Sequence, residues 1–497
     1  MPRQVVRVRG AGPTPAEPAT PGADPRRLGE GIDRLRGELD LPADFPPDVV
    51  AAAAAADGAP RLPDLDRTDL PLVTLDPHGA RDLDQALAIA REGDGYVVHY
   101  AIADVAAFVS AGDPVDQEAR RRGETLYAPD SRIPLHPPAL SEDAASLLAG
   151  RTRPALLWTF RLDRVGEVVD VRVERAQVRS RGQYDYAAVQ AALDAGEGDV
   201  LADGVFALLL EVGRLRRELE AARGGISLAL PDQEVECGPE GWRLRFRRQS
   251  EVEECNAQIS LMTGMAAADL MVYARIGVLR TLPPVDSSAL RELRRSAASL
   301  GVDWPVEQLV GDFLRALDPG RAAHAAVLLA ATRLLRGAGY VAFDGELPEL
   351  VTHAGLASEY AHCTAPLRRL VDRFTGEVCV ALSAGREVPE WVREALPDLP
   401  RLMAESSRRA SAYERGVVDL VEALLLEDAV GREFPGVVLT VRDSDPSVGT
   451  IQLDEPAVEA PLRGAGGAAL TAGRRVVARL AEVDVEQRRV RFEVDPA

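Results

Sequence analysis

Residues 74–86 read T-L-D-P-H-G-A-R-D-L-D-Q-A and place three carboxylates, Asp76, Asp82 and Asp84, within nine positions. Carboxylates a few ångströms apart repel and raise one another's pKa, whereas a hard divalent cation turns that repulsion into coordination. Asp82 and Asp84 stand two apart, so in an extended segment both side chains face the same way. Turned toward Asp76 across a loop, they can hold one or two magnesium ions, with manganese as the alternative. Gln85 follows directly; its amide oxygen can coordinate a hard cation but neutralises nothing. On spacing alone, a solvated acidic loop accounts for the cluster equally well.

The elements that must position this cluster are legible as patterns. Residues 71–75, 86–90 and 96–103 read as strands, the last rich in Tyr, Val and Ile. Asp113-Pro114 predicts a capped helix to about Arg122, and Ser141 before Glu142 and Asp143 reads as a second cap. Alternation over 156–162 and 168–178 around Asp163-Arg164-Val165-Gly166 predicts a hairpin. Helical spacing runs over 201–223, 251–275, 287–300, 321–336 and 405–427. Five short strand patterns over 434–440, 449–453, 458–462, 475–480 and 489–494 suit a small OB-fold barrel. The fold class is therefore α+β. The expected organisation is a disordered arm over 1–29, a short helical segment over 30–68, a catalytic domain over 69–429 and a barrel over 430–497.

Composition sets the outer bounds. At 497 residues the chain exceeds what one core usually serves, and 46% apolar with 27% charged residues is ordinary globular usage. A net charge of −20 argues against coating long duplexes, yet a strand threaded through a locally basic channel needs no basic surface overall. All 58 basic residues are arginine. Cys237, Cys255, Cys363 and Cys379 show no metal-binding spacing and read as buried free thiols, and the six histidines form no zinc motif. Without a signal-peptide core or an apolar run long enough for a membrane span, a monomeric cytoplasmic protein is expected.

Beyond the cluster, an ordered series of motifs follows. It comprises Ile102-Ala103-Asp104-Val105, Arg121-Arg122-Gly123 with Thr125-Leu126-Tyr127, Arg132-Ile133-Pro134-Leu135, Leu140-Ser141-Glu142 with Ser146-Leu147, and Glu253-Glu254. His353 with Gly355-Leu356-Ala357, then Thr364-Ala365-Pro366-Leu367-Arg368-Arg369, and finally Glu414-Arg415 complete it. From about residue 69 to 425 the chain thus resembles the catalytic domain of the RNB exoribonucleases, the RNase II and RNase R family. The resemblance implies hydrolysis of single-stranded RNA, not DNA, from the 3′ end to nucleoside 5′-monophosphates with two metal ions. It implies that Asp76, Asp82 and Asp84, with Gln85, hold the metals, and that Arg368 contacts the scissile phosphate. Tyr127 would pack on the terminal nucleotides. Glu254, for which Glu253 competes, and Glu414 would bond the terminal ribose. Arg369 is a further RNA contact, with structural pairing as its alternative.

The departures matter as much. The family usually reads Asp-x-Asp-Asp where this chain has Asp82-Leu83-Asp84-Gln85, which predicts weaker metal binding or slower turnover; Asp104 is a candidate to compensate. Ala101, Ala365 and Leu370 replace a histidine, a serine and a tyrosine, and Ile226 and Leu228 stand where an aromatic often closes the nucleotide clamp. The family's two leading cold-shock barrels find no counterpart in residues 1–68. Arg463, Arg474, Arg475, Arg488 and Arg489 of the final barrel are then candidates to guide RNA. The rival expectation is an RNA-binding paralogue whose chemistry is weak or silent.

Overall fold

A computed structural model describes residues 25–495 apart from 43, 199, 239–240 and 443. Most of the arm expected over 1–29 lies outside the described residues, but its end does not: helix α1 (Pro25–Glu38) already begins at Pro25, and α2 (Pro47–Gly58) follows. Leu28, Ile32 and Leu35 of α1 are buried, which is why the helix starts earlier than its proline-rich approach suggested. In chain order come β1 (Val73–Asp76), β2 (Gln85–Glu92), β3 (Gly95–Ala103), α3 (Pro114–Arg122), β4 (Leu126–Tyr127), β5 (Arg132–Ile133), β6 (Thr152–Leu162), β7 (Val168–Arg179), β8 (Gly182–Asp185), α4 (Tyr186–Asp194) and α5 (Val205–Ala222). The hairpin β9 (Asp232–Gly238) and β10 (Gly241–Arg247) leads into α6 (Glu251–Ala274). Then come β11 (Ile276–Thr281), α7 (Ser287–Ser299), α8 (Val310–Arg315), α9 (Ala322–Ala331), β12 (Gly339–Asp344), β13 (Thr352–His353), β14 (Ser358–Glu359), α10 (Leu370–Ser383), α11 (Glu390–Ala395) and α12 (Leu399–Leu426).

The central sheet runs β7-β6-β3-β2-β1-β8, antiparallel except where β8 joins β1 in parallel. Its two faces differ by the strand period of two. Leu87, Ile89, Val98 and Tyr100 point into one core with Phe206 of α5, Ile259 of α6 and Phe374 of α10. Ala86, Ala88, Ala101, Ala103 and Ala155 line the other face, where small side chains let Val49 and Ala53 of α2 come close. Asp113 caps α3 by accepting the Asp116 N–H at 2.8 Å, with Pro114 in the first turn. Ser141, however, is no cap: it lies inside a π-helical turn (Leu140–Ala144), buried, with its hydroxyl donating to the His136 carbonyl at 3.2 Å.

The carboxy-terminal strands β15 (Glu433–Arg442), β16 (Asp445–Leu453), β17 (Glu459–Gly464), β18 (Arg475–Asp484) and β19 (Arg489–Val494) close into a five-stranded barrel. Two of its proposed guiding arginines are already paired, Arg475 with Asp454 and Arg488 with Glu38 of α1 at 3.1 Å. Helix α1 is pressed on α12 so closely that a Cβ on Gly31 would meet Leu420 and one on Gly416 would meet Leu35. Cys255, Cys363 and Cys379 are free and buried; the side chain of Cys237 lies outside the described residues. Among the described residues no helix is long and apolar enough to cross a membrane.

Buried Glu422 on α12 stitches the barrel to the rest, accepting from Gln233 Nε2 at 2.7 Å and from the Glu459 N–H at 3.0 Å. Burial pushes its carboxyl up to about 8 from an ordinary 4.5. The unfolded chain therefore loses this proton first, and stability falls as pH rises from 4.5 through about 8. Glu422→Gln keeps the accepting oxygen and cannot ionise. Thermal melts of that variant between about pH 5 and pH 9 should show a flatter decline than the wild type.

Candidate active site

Asp76 closes β1, Gln85 opens β2, and residues 77–84 loop between them, so the cluster gathers at one end of the central sheet. The third wall is the turn 364–369 that precedes α10. Asp84 is buried and ties that turn down, accepting from the Leu367 N–H at 2.8 Å and from Arg368 Nε at 3.2 Å. Gln85 adds a second tie, its Nε2 donating to the Thr364 carbonyl. A third comes from buried Asp372, which accepts from the Ala365 N–H at 2.8 Å and from Arg369 Nη2 at 2.7 Å. The Thr125 N–H donates to the Arg368 carbonyl at 2.9 Å, joining the turn to the strand that carries Tyr127.

Asp82 faces the same space and is held by two groups. Arg132 Nη1 donates to one oxygen at 2.8 Å and the Tyr127 hydroxyl to the other at 3.2 Å. Asp76 is different: its Oδ2 is buried and has no hydrogen-bond partner. Burial pushes the Asp76 carboxyl up to about 7, Arg368 opposes the rise, and Asp82 adds to it. Burial likewise pushes Asp84 up to about 8, against the pull of Arg368 and the Leu367 N–H. Buried carboxylates with too few positive partners and one orphaned oxygen fit a divalent cation, and an all-oxygen donor set suits magnesium or manganese. Among the described residues, no three acidic, histidine or cysteine side chains yet stand close enough to enclose an ion.

Arg368 is half exposed beside Asp84, so its guanidinium has an open side. Arg369 is instead locked onto Asp372, the structural alternative expected for it. Glu254 lies on the surface of α6 and pairs with Arg217 of α5 at 2.9 Å, while Glu253 belongs to the capping box of α6. Glu414 on α12 lines a groove of about 1210 Å³ between α7, α9, the β9–β10 hairpin and the barrel, together with Arg295, Arg333, Arg336 and Arg415. Asp104 does not compensate for Gln85: it is buried and accepts from Arg175 Nε at 2.7 Å. Three groups central to the geometry carried no expected role, namely Arg132, Asp372 and the Thr364 carbonyl. Only Asp372 left a signal, the i, i+3 spacing from Arg369 before a helix.

The Gln85 bond has a direct consequence. Glutamate has the same length but offers only acceptors, so Gln85→Glu sets a carboxylate against the Thr364 carbonyl. The variant is expected to lose about 1–3 kcal/mol of stability in metal-free buffer, read as a lowered melting temperature.

A family model described as the RNB domain matches residues 65–378. The chain belongs to the RNB family. A second model, the RNase II-type exonuclease C-terminal S1 domain, matches residues 432–495 and so covers the closed barrel. Ribonuclease R 1 of Lactococcus lactis is 25% identical over 441 residues, 83% of this chain and 52% of the relative. Ribonuclease R of Escherichia coli is 27% identical over 401 residues, 76% of this chain and 48% of the relative. The chain thus spans about half the length of these curated relatives. Among solved structures, the apo form of Mycoplasma genitalium RNase R matches with a TM-score of 0.83 at 19% identity, covering 94% of this chain and 78% of the other. Yeast Ssd1, described as a pseudonuclease, shares the fold at a TM-score of 0.69 and 15% identity, covering 92% and 58%.

Proposed function

We propose that this RNB protein is a magnesium-dependent 3′-to-5′ exoribonuclease that hydrolyses single-stranded RNA to nucleoside 5′-monophosphates, acting as a monomer in the cytoplasm. The observation that carries the reading is that Asp76 and Asp84, at one end of the sheet, both feel the charge of Asp82 and of a half-exposed Arg368. When bound there, the metal pair supplies an activated water and stabilises the leaving 3′ oxygen. Asp76 and Asp84 are the ligands the burial pattern favours, and Asp82 completes the set. Arg368 meets the scissile phosphate and offsets charge that grows on its oxygens during in-line displacement.

Tyr127 stands at the rim with its hydroxyl on Asp82, so its ring borders the space where a terminal nucleotide would lie. Stacking on a ring is indifferent to base identity, as degradation of any sequence requires. The arginines of the groove beside the barrel offer phosphate contacts to the rest of the strand. Glu254, held by Arg217, is the weakest candidate for the ribose contact.

A second reading is favoured by Gln85 itself: a fold member that binds RNA and does not cut it, as the description of yeast Ssd1 as a pseudonuclease illustrates for that protein. The two separate in one experiment. Purified chain is mixed with labelled single-stranded RNA, first in EDTA to measure binding and then with magnesium to measure turnover. Binding followed by release of mononucleotides supports the exonuclease; binding with no turnover in magnesium or manganese supports the silent paralogue and rejects the first reading.

A further inference from the structure

We propose that Arg132 is a built-in cation that competes with metal for Asp82, and that Glu142 is the second seat to which it retreats when metal binds. The proposal rests on the metal-dependent reading above. Arg132 stands directly opposite Tyr127 in the β4–β5 pair. Directly opposed residues of an antiparallel pair project to the same side. Both therefore reach Asp82, the arginine at 2.8 Å and the hydroxyl at 3.2 Å.

The other end of the same guanidinium, Nη2, lies 2.6 Å from Glu142 in the π-helical turn. Arg81 also approaches Glu142, more loosely, at 3.9 Å. Asp82, Glu142 and Arg132 are each no more than about a quarter exposed, so their charges are screened less than on an open surface. One planar cation thus bridges two carboxylates, only one of which belongs to the cluster.

This arrangement makes exchange easy. A guanidinium stripped of its only partner would be costly to leave half-buried, which would resist metal entry. Arg132 keeps Glu142 whichever way it moves, so it can give up Asp82 by a side-chain shift alone. With Gln85 removing one negative charge from the cluster, a resident arginine on Asp82 becomes a principal competitor of the metal.

Binding of Mn2+ to the full chain, followed by the electron paramagnetic resonance of the free ion, tests this without turnover. Arg132→Gln should bind Mn2+ about five- to ten-fold more tightly than the wild type, and Glu142→Gln more weakly by a similar factor. Arg81→Gln removes an equal charge that touches Glu142 but not Asp82, and should change affinity less than about two-fold. Weaker binding by Arg132→Gln, unchanged or tighter binding by Glu142→Gln, or equal gains from Arg81→Gln and Arg132→Gln would each overturn the proposal. Thermal melts establish that each variant is folded. If the wild type and Asp84→Asn both fail to bind Mn2+, the metal-dependent reading itself fails; if the wild type binds and Asp84→Asn does not, only the role of Arg132 is at issue.

Discussion

Asp84→Asn should reduce the release of nucleotides from single-stranded RNA on the order of a thousand-fold or more. Two losses coincide at this one atom pair. The variant removes a negative charge from the metal cluster, and it also presents an NH2 group where Asp84 accepts from the Leu367 N–H and from Arg368. Donor would face donor at one of these contacts, so the turn carrying Arg368 is pushed off its anchor. Initial rates in saturating RNA and saturating magnesium, together with a melting curve, separate the chemical loss from instability. A variant that melts like the wild type and keeps its rate would remove Asp84 from the mechanism.

Arg368→Ala is expected to lower kcat about a hundred- to a thousand-fold, the usual effect of deleting a group that meets developing charge. Arg368 is half exposed, yet its Nε also donates to buried Asp84, so the melting temperature should fall modestly while Mn2+ affinity holds or rises slightly as a positive charge leaves the cluster. Arg368→Lys should recover little, because an ammonium cannot reproduce the planar fork that faces two phosphate oxygens. A fall in Mn2+ affinity with normal kcat would point to a structural rather than a phosphate-directed arginine.

Much of this arrangement can be read along the chain where cause and residue are neighbours. Strand alternation, the Asp113-Pro114 cap, the hairpin at Asp163–Gly166 and the five barrel strands are local patterns, and all appear in the structure. The cluster itself was legible as residue types close in sequence. Its partners were not, because Arg132 meets Asp82 from 50 positions away and the Leu367 N–H meets Asp84 from 283.

Helix α10 escaped for a different reason. Asp372, Arg373 and Glu377 interrupt its apolar spacing, yet all three are buried and each is neutralised: Asp372 by nearby Arg369, and Arg373 and Glu377 by distant Asp116 and Arg175. Ser141 looked like a cap because its neighbours are acidic, but burial drew its hydroxyl to the His136 carbonyl instead. Asp104 is a candidate to offset the charge lost at Gln85 on sequence alone, but Arg175 holds it. For Asp104, Arg373 and Glu377 the charge is satisfied by tertiary pairing that sequence distance conceals.

The central claim, that Asp76, Asp82 and Asp84 form the metal site of an enzyme that shortens RNA from its 3′ end, is tested most directly by one gel. Single-stranded RNA labelled at its 5′ end is incubated with the full chain in magnesium and in EDTA, and the products are resolved to single nucleotides. The expected result is a ladder that descends from full length one nucleotide at a time in magnesium, with intact RNA in EDTA. Intact RNA in both conditions, internal fragments without a descending ladder, or an unchanged ladder in EDTA would contradict it.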